Sequence, residues 1–63
     1  MGDTKEAILT TALQLFAGNG YEAVSVSEIA GALGMTKGAL YKHYKNKRDI
    51  FDHILIRMEQ RDA

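Results

Sequence analysis

The chain has 63 residues, enough for one domain whose core buries only about 60% of the unfolded surface. It contains no cysteine, which excludes disulfide bonds and thiolate metal sites and fits a reducing compartment. Its 8 basic and 8 acidic residues balance to a net charge of zero. No apolar run approaches the roughly 20 residues that cross a bilayer, and the N-terminus lacks a signal-peptide core, so we expect a soluble, cytoplasmic protein without a membrane partner.

The first predicted element is an amphipathic helix that begins at Asp3 or Thr4, either of which can cap it, and ends near Gly18. Its apolar residues recur at helical spacing, and they are Ile8, Leu9, Ala12, Leu13, Leu15 and Phe16. The segment 18–20, Gly-Asn-Gly, predicts the end of the helix because both residue types tolerate a positive φ. We expect Tyr21 to pack back on this helix.

Two short helices joined by a glycine are predicted next. Ser25 and Glu28 have the spacing of a capping box, which indicates a helix over 25–33. Gly34 can end that helix in the left-handed conformation, and Thr36 can cap a further helix over 37–44. Two helices connected in this way predict a helix-turn-helix.

The helix predicted over 37–44 has two different faces. Leu40 and Tyr44 share one face, with Tyr41 on its flank, whereas Gly38, Ala39 and Lys42 lie roughly opposite. This pattern is typical of a helix that packs on its neighbours with one side and presents a small, basic side to an anionic partner.

Positive charge is concentrated around that helix. The segment 29–48 has no acidic residue, and its charged residues are Lys37, Lys42, Lys45, Lys47 and Arg48, beside His43. A local basic block favours nucleic-acid binding more than the total charge does. Taken alone, the same block is equally compatible with a solvated, lysine-rich surface.

The last predicted helix begins after Asn46, which can cap it, with Asp49 in its first turn. Its apolar stripe consists of Ile50, Phe51, Ile54, Leu55 and Met58. A core of this size can cover only the first half of such a helix, so we expect Leu55, Ile56 and Met58 to be under-covered. This expectation suggests that the chain is a fragment of a longer protein.

These features together resemble the N-terminal DNA-binding domain of the tetracycline-repressor (TetR) family of bacterial transcription regulators. The resemblance is carried by Ile8-Leu9, Ala12, Leu15-Phe16, Gly20-Tyr21, Ser25-Val26, Ile29-Ala30 and, above all, the segment 34–47. It implies an all-α fold, a small helical bundle with a helix-turn-helix that spans residues 1–63. This bundle would consist of a three-helix, homeodomain-like core and the start of a fourth helix. The C-terminal ligand-binding and dimerisation domain would be absent.

The resemblance also implies how the domain binds DNA in the major groove of an operator half-site. Lys37 would reach base edges, Gly38 would let the backbone approach closely, and Ala39 would touch a thymine methyl group. Lys42 would contact either a phosphate or a base. The residues expected to contact phosphates are Ser25, Ser27, Thr36, Tyr41, His43 and Lys47. Lys42 departs from the aromatic residue or histidine common at that position, so no base preference can be transferred.

The function implied is sequence-specific binding of double-stranded DNA by a repressor. In such regulators, a homodimer is released from DNA when a small-molecule effector binds to the C-terminal domain. The alternative from another class is a protein-interaction module that uses Phe51, Leu55 and Met58 as a docking face. We expect no enzyme activity and no cofactor, because no catalytic constellation is present. Asp49, Asp52 and His53 could in principle hold a metal, although an acidic residue at a helix start more often compensates the helix dipole.

Overall fold

The structure is a computed structural model that describes residues 3–62, with side chains as far as Gln60. Four α-helices follow one another: α1 (Thr4–Asn19), α2 (Val26–Ala32), α3 (Lys37–Tyr41) and α4 (Lys47–Asp62). A single 3₁₀ turn, Tyr21–Ala23, joins α1 to α2. The described residues form no strand, which confirms the predicted all-α class.

Helix α1 begins and ends where local chemistry predicts. Asp3 caps it by accepting a hydrogen bond from the backbone N–H of Lys5 at 3.1 Å. The helix continues through Asn19 and stops at Gly20, whose φ is +90° and whose N–H donates to the carbonyl of Phe16. Asn19 itself stays helical, so Gly20 alone supplies the positive φ in this segment.

Helices α2 and α3 form the predicted helix-turn-helix. The capping box is present, since Ser25 Oγ accepts from the N–H of Glu28 at 3.1 Å and the Glu28 carboxylate accepts from the N–H of Ser25 at 3.2 Å. Gly34 has φ +70°, and the N–H groups of Gly34 and Met35 donate to the carbonyls of Gly31 and Ala30. This pair of bonds is a Schellman motif, which reverses the chain direction after α2.

Helix α3 is shorter than the predicted span of 37–44. Regular helix ends at Tyr41, and Lys42 is its C-cap residue. In the turn that follows, the N–H groups of His43 and Tyr44 both donate to the carbonyl of Leu40. Leu40 and Tyr44 therefore still point to the same side, although the backbone between them has left the helix.

Helix α4 begins at Lys47 with the predicted cap. Asn46 Oδ1 accepts from the N–H of Asp49 at 2.8 Å, and the Asp49 carboxylate accepts from the N–H of Lys45 at 2.9 Å. Farther along, Arg57 forms an ion pair with Glu6 and so ties α4 to the first turn of α1.

A single core fills the space between the helices. It consists of Ile8, Leu9, Ala12, Phe16, Val24, Val26, Ile29, Ala30, Leu40, Tyr44, Ile50 and Ile54. The rings of Phe16, Tyr21 and Phe51 close one side, with centroids 5.1–6.1 Å apart. Tyr21 packs back on α1 as predicted.

The stripe predicted on α4 is buried only in its first half. Ile50 and Ile54 lie in the core, whereas Leu55, Ile56 and Met58 are 42%, 50% and 46% exposed. Leu13 of α1 is also exposed. Within residues 3–62, no helix is both long enough and apolar enough to cross a membrane.

Candidate nucleic-acid interface

The outer side of α3 is presented to solvent while its inner side is anchored. Leu40 is fully buried, and Lys37, Gly38 and Lys42 are exposed. Ala39 is half-buried at the edge between the two sides. The burial of these residues therefore confirms the two predicted faces for Leu40, Gly38 and Lys42, whereas Ala39, predicted on the outer side, lies between the two.

Gly38 lies in the first turn of α3 with open space around it. A β-carbon built at this position would meet only Thr36 Oγ1, at 3.9 Å, among the described residues. That distance is an ordinary van der Waals contact, so helix packing does not require glycine here. A glycine in a helix is up to about 1 kcal/mol less favourable than alanine, and no close packing among the described residues explains the glycine here.

Thr36 and Ser25 are both occupied as helix caps. Thr36 Oγ1 accepts from the N–H of Ala39 at 3.1 Å, which leaves the hydroxyl proton free to donate outward. Ser25 Oγ lies 3.5 Å from the carboxylate of Glu28, so a phosphate approaching Ser25 also meets a negative charge. Ser27, two residues after Ser25, is exposed and lies in the first turn of α2.

Tyr41 and His43 flank the exposed side of α3. The Tyr41 side chain is 45% exposed, and His43 in the following turn is half-buried. Both side chains are therefore at least partly accessible to solvent, on either side of exposed Lys42 in the sequence.

Lys47 differs from the other predicted contact residues. Its ammonium group donates to the carbonyl oxygens of Tyr21 at 2.8 Å and Val24 at 2.9 Å. The same nitrogen lies 4.2 Å from the centre of the Tyr21 ring. Two of its three N–H donors are thus used within the protein.

Tyr44, three residues before Lys47, also makes a long-range bond. It is buried, as its place on the inner side of α3 predicts, and its hydroxyl donates to the carbonyl of Lys5 at 3.3 Å. Burial raises the pKa of this hydroxyl above its ordinary value, and the carboxylates of Asp3 and Asp49 add to the effect.

Each of the three side chains considered for a metal has a partner within the protein. Asp49 accepts from the backbone of Lys45, and Asp52 pairs with Arg48 at 3.0 Å. His53 Nδ1 lies 2.8 Å from the carbonyl of Asp49 and 3.4 Å from its carboxylate. Within residues 3–62, no group of three or more potential ligands is close enough to hold a metal ion.

Residues 8–54 match the family model described as bacterial regulatory proteins, tetR family. The chain belongs to this family. The matched range contains the complete helix-turn-helix and the first half of α4, which are the elements that carry the basic surface.

Several curated TetR-family relatives are similar over most of this chain. The HTH-type transcriptional regulator AcrR of Shigella flexneri is 46% identical over 52 residues, which are 82% of this chain and 24% of that protein. The HTH-type transcriptional repressor BepR of Brucella suis is 44% identical over 55 residues, 87% of this chain and 26% of that protein. The HTH-type transcriptional regulator QacR of Staphylococcus aureus is 43% identical over 51 residues, 81% and 27% of the two chains. The chain spans about a quarter of the length of these relatives.

Sequence reasoning about this TetR-family domain missed three long-range bonds, one from Tyr44 and two from Lys47. One signal for Lys47 was available. It is the first residue of α4, where the positive end of the helix dipole disfavours a lysine. A lysine in that position is more easily explained if acceptor groups from another segment surround its ammonium group.

Proposed function

We propose that this chain is the DNA-binding domain of a transcription regulator and that α3 enters the major groove of B-form DNA. The observation that supports this best is the exposed, basic side of α3 within a segment, 29–48, that has no acidic residue. The major groove is about 12 Å wide and admits an α-helix. The names of the relatives, which describe transcriptional regulators and a repressor, agree with the proposal.

Residues of α3 and its C-cap are the candidates for contacts inside the groove. Lys37 can donate to guanine O6 or N7, and half-buried Ala39 can touch a thymine methyl group. The exposed ammonium group of Lys42 can neutralise a phosphate or donate to a base. Gly38 lets the backbone of the first turn come close to the base edges, which accounts for a glycine that packing does not require.

Phosphate contacts would come from the groups around this surface. Thr36 and Tyr41 have hydroxyl protons to donate, and His43 has a ring nitrogen. Ser27 is better suited than Ser25, because the Glu28 carboxylate lies beside the hydroxyl of Ser25. These contacts would fix the register of α3 without reading sequence.

We infer from the family resemblance that the full-length protein is a cytoplasmic homodimeric repressor whose C-terminal domain binds a small-molecule effector. Two domains would then bind half-sites about one helical turn, roughly 34–36 Å, or a small multiple apart. The 63-residue chain alone should bind weakly, because the avidity of the second domain is missing.

The proposal is tested by selecting duplexes from a random pool with the 63-residue chain and titrating the affinity of the selected duplex against salt. If the basic residues neutralise three to five phosphates, log K should fall against log salt with a slope of about −3 to −5. An affinity indifferent to salt, or no enrichment of any duplex, would contradict the proposal. Capture of an apolar helical peptide on the face of α4 would then favour the protein-interaction alternative.

Base reading is tested separately with Lys37→Ala. The comparison variant is Tyr41→Phe, which removes a hydroxyl group proposed to contact a phosphate. Loss of Lys37 should relax the base preference at one position by about 1–3 kcal/mol. Loss of the Tyr41 hydroxyl should weaken all duplexes alike. Equal effects of the two substitutions on every duplex would show that these roles are wrong.

A further inference from the structure

The ammonium group of Lys47 joins two segments that are distant in sequence. Its acceptors are the carbonyls of Tyr21 and Val24, 26 and 23 residues earlier, at 2.8 and 2.9 Å. Val24 immediately precedes Ser25, the residue that caps α2. The bond therefore ties the first residue of α4 to the backbone from which α2 starts.

The surroundings of the ammonium group stabilise its positive charge and so favour these two bonds. Lys47 is half-buried, and its nitrogen lies 4.2 Å from the centre of the Tyr21 ring, so the ring face stabilises the positive charge. The ring is itself held by Phe16 and Phe51, at 5.1 and 5.2 Å. A charge-assisted bond to a neutral carbonyl is stronger than a neutral one, and here two such bonds converge on one nitrogen.

We propose that Lys47 is a positioning residue, which fixes the start of α2 against α4 and does not act chiefly by neutralising a phosphate. This inference rests on the proposed DNA-binding function. The two roles differ in a measurable way. A phosphate-neutralising lysine releases about one counterion, whereas a lysine that acts through the protein backbone releases none on binding.

The test compares Lys47→Met, which keeps the unbranched stem and removes the charge, with Lys45→Met, an exposed lysine of the same corner, and with Lys42→Met. Lys47→Met should lower the unfolding midpoint of the free protein by at least about 4 °C, and Lys45→Met should leave it unchanged. Lys47→Met should also weaken DNA binding several-fold at every salt concentration while the slope of log K against log salt stays the same. Lys42→Met should reduce that slope by about 0.9.

The proposal is overturned if Lys47→Met reduces the slope as Lys42→Met does and leaves the unfolding midpoint unchanged. Should Lys47→Met fail to fold, the wild-type protein still decides the matter by NMR of the lysine side chains. The Lys47 Nζ protons should exchange with water more slowly than those of Lys45 in the free protein, and their signals should hardly move when DNA is added. Rapid exchange in the free protein, or a scalar coupling to phosphorus in the complex, would refute the assignment.

Failure of the proposed DNA binding gives a different result. A protein that binds no duplex but has slowly exchanging Lys47 Nζ protons and a destabilised Lys47→Met variant would contradict the DNA-binding proposal and support the positioning role. The free-protein measurements therefore test the bond to Tyr21 and Val24 independently of any ligand.

Discussion

Among the residues that the structure describes, a β-carbon at Gly38 would touch only Thr36 Oγ1, at 3.9 Å, so the free protein can accept alanine at this position. Helix propensity favours that substitution. A backbone that lies against base edges does not accept it, because a methyl group would occupy the space that the DNA needs. If α3 enters the groove as proposed, the stability of the fold and the affinity for DNA impose opposite preferences at residue 38.

Gly38→Ala should raise the free energy of unfolding by up to about 1 kcal/mol and weaken DNA binding about tenfold. Gly31→Ala is the matched control, since Gly31 is an exposed helical glycine whose β-carbon would meet nothing within 4 Å in the described part of the chain. It should stabilise the fold without affecting DNA binding. Urea unfolding and fluorescence anisotropy provide the two measurements. An unchanged affinity of Gly38→Ala would show that the backbone does not approach the DNA there.

Tyr44 gives the domain a dependence on alkaline pH. Its pKa in the folded protein is raised above the ordinary 10.0, first by burial and then by Asp3 and Asp49. The folded protein therefore retains the hydroxyl proton where the unfolded chain has already released it. The contribution is fully present below about pH 10 and is lost as the pH rises above that value.

Tyr44→Phe should reduce stability by about 0.5–1.5 kcal/mol at neutral pH, because the bond to the Lys5 carbonyl is lost. Thermal unfolding followed from about pH 9 to about pH 11 should show a smaller loss of stability for Tyr44→Phe than for the wild type. Tyr41→Phe, at an exposed position, controls for removal of a hydroxyl group. Parallel curves for wild type and Tyr44→Phe would contradict the burial effect.

Among the elements, the turn between α2 and α3 depends most on one backbone conformation. Gly34 has φ +70° within the Schellman motif, and no described residue other than its chain neighbours comes within 4 Å of a β-carbon built on it. The backbone conformation is therefore what restricts this residue. A side chain here would strain the turn that sets the angle between the two helices.

Gly34→Ala should lower the free energy of unfolding by about 1–2 kcal/mol, measured by the urea midpoint. Gly18→Ala, in α1 where φ is ordinary and the space is equally open within residues 3–62, should raise it by up to about 1 kcal/mol. A loss of stability in both variants would mean that the conformation of Gly34 is not the cause.

Local chemistry predicted most of these elements. Capping by Asp3, Ser25, Thr36 and Asn46 depends on residues three or fewer positions away, so the sequence alone marks the helix starts. The predicted length of α3 was wrong because it, too, rested on local spacing. Leu40 and Tyr44 keep a spacing of four through the turn, and that spacing does not distinguish a turn from continued helix.

Contacts between distant segments could not be predicted in the same way. The bonds from Lys47 to Tyr21 and Val24 and from Tyr44 to Lys5 join residues 23–39 positions apart. They end on backbone carbonyls, which every residue has, so no residue type in the sequence identifies the acceptors. The DNA contacts of the candidate site remain predictions.

At the scale of the whole molecule, stability depends on a core that ends halfway along α4. Ile54 is 3% exposed, whereas Ile56, two positions later, is 50% exposed. The Arg57–Glu6 ion pair crosses from α4 to α1 in this region, but a partly exposed pair contributes at most about 1 kcal/mol. The buried isoleucines therefore hold α4 in place.

Ile54→Ala should cost about 2–5 kcal/mol, a large part of the stability of a small domain. Ile56→Ala, the same change on the same helix, should alter stability by less than about 0.5 kcal/mol. Thermal unfolding of the two variants measures the difference. A similar cost at both positions would mean that the core extends farther along α4 than these exposures indicate.

Lys47 and Tyr44 donate to main-chain oxygens. A mutation of either donor removes the bond, whereas a mutation of an acceptor residue leaves the carbonyl oxygen in place. Any residue at positions 5 and 24 offers the same acceptor, so substitutions there change packing or charge but leave these attachments possible. A deep mutational scan should therefore show strict requirements at 44 and 47, wide tolerance at exposed position 5, and at position 24 a preference for residues that fill the core. Such an arrangement lets the residue types at the acceptor positions change while α3 and the start of α4 keep their places in the fold.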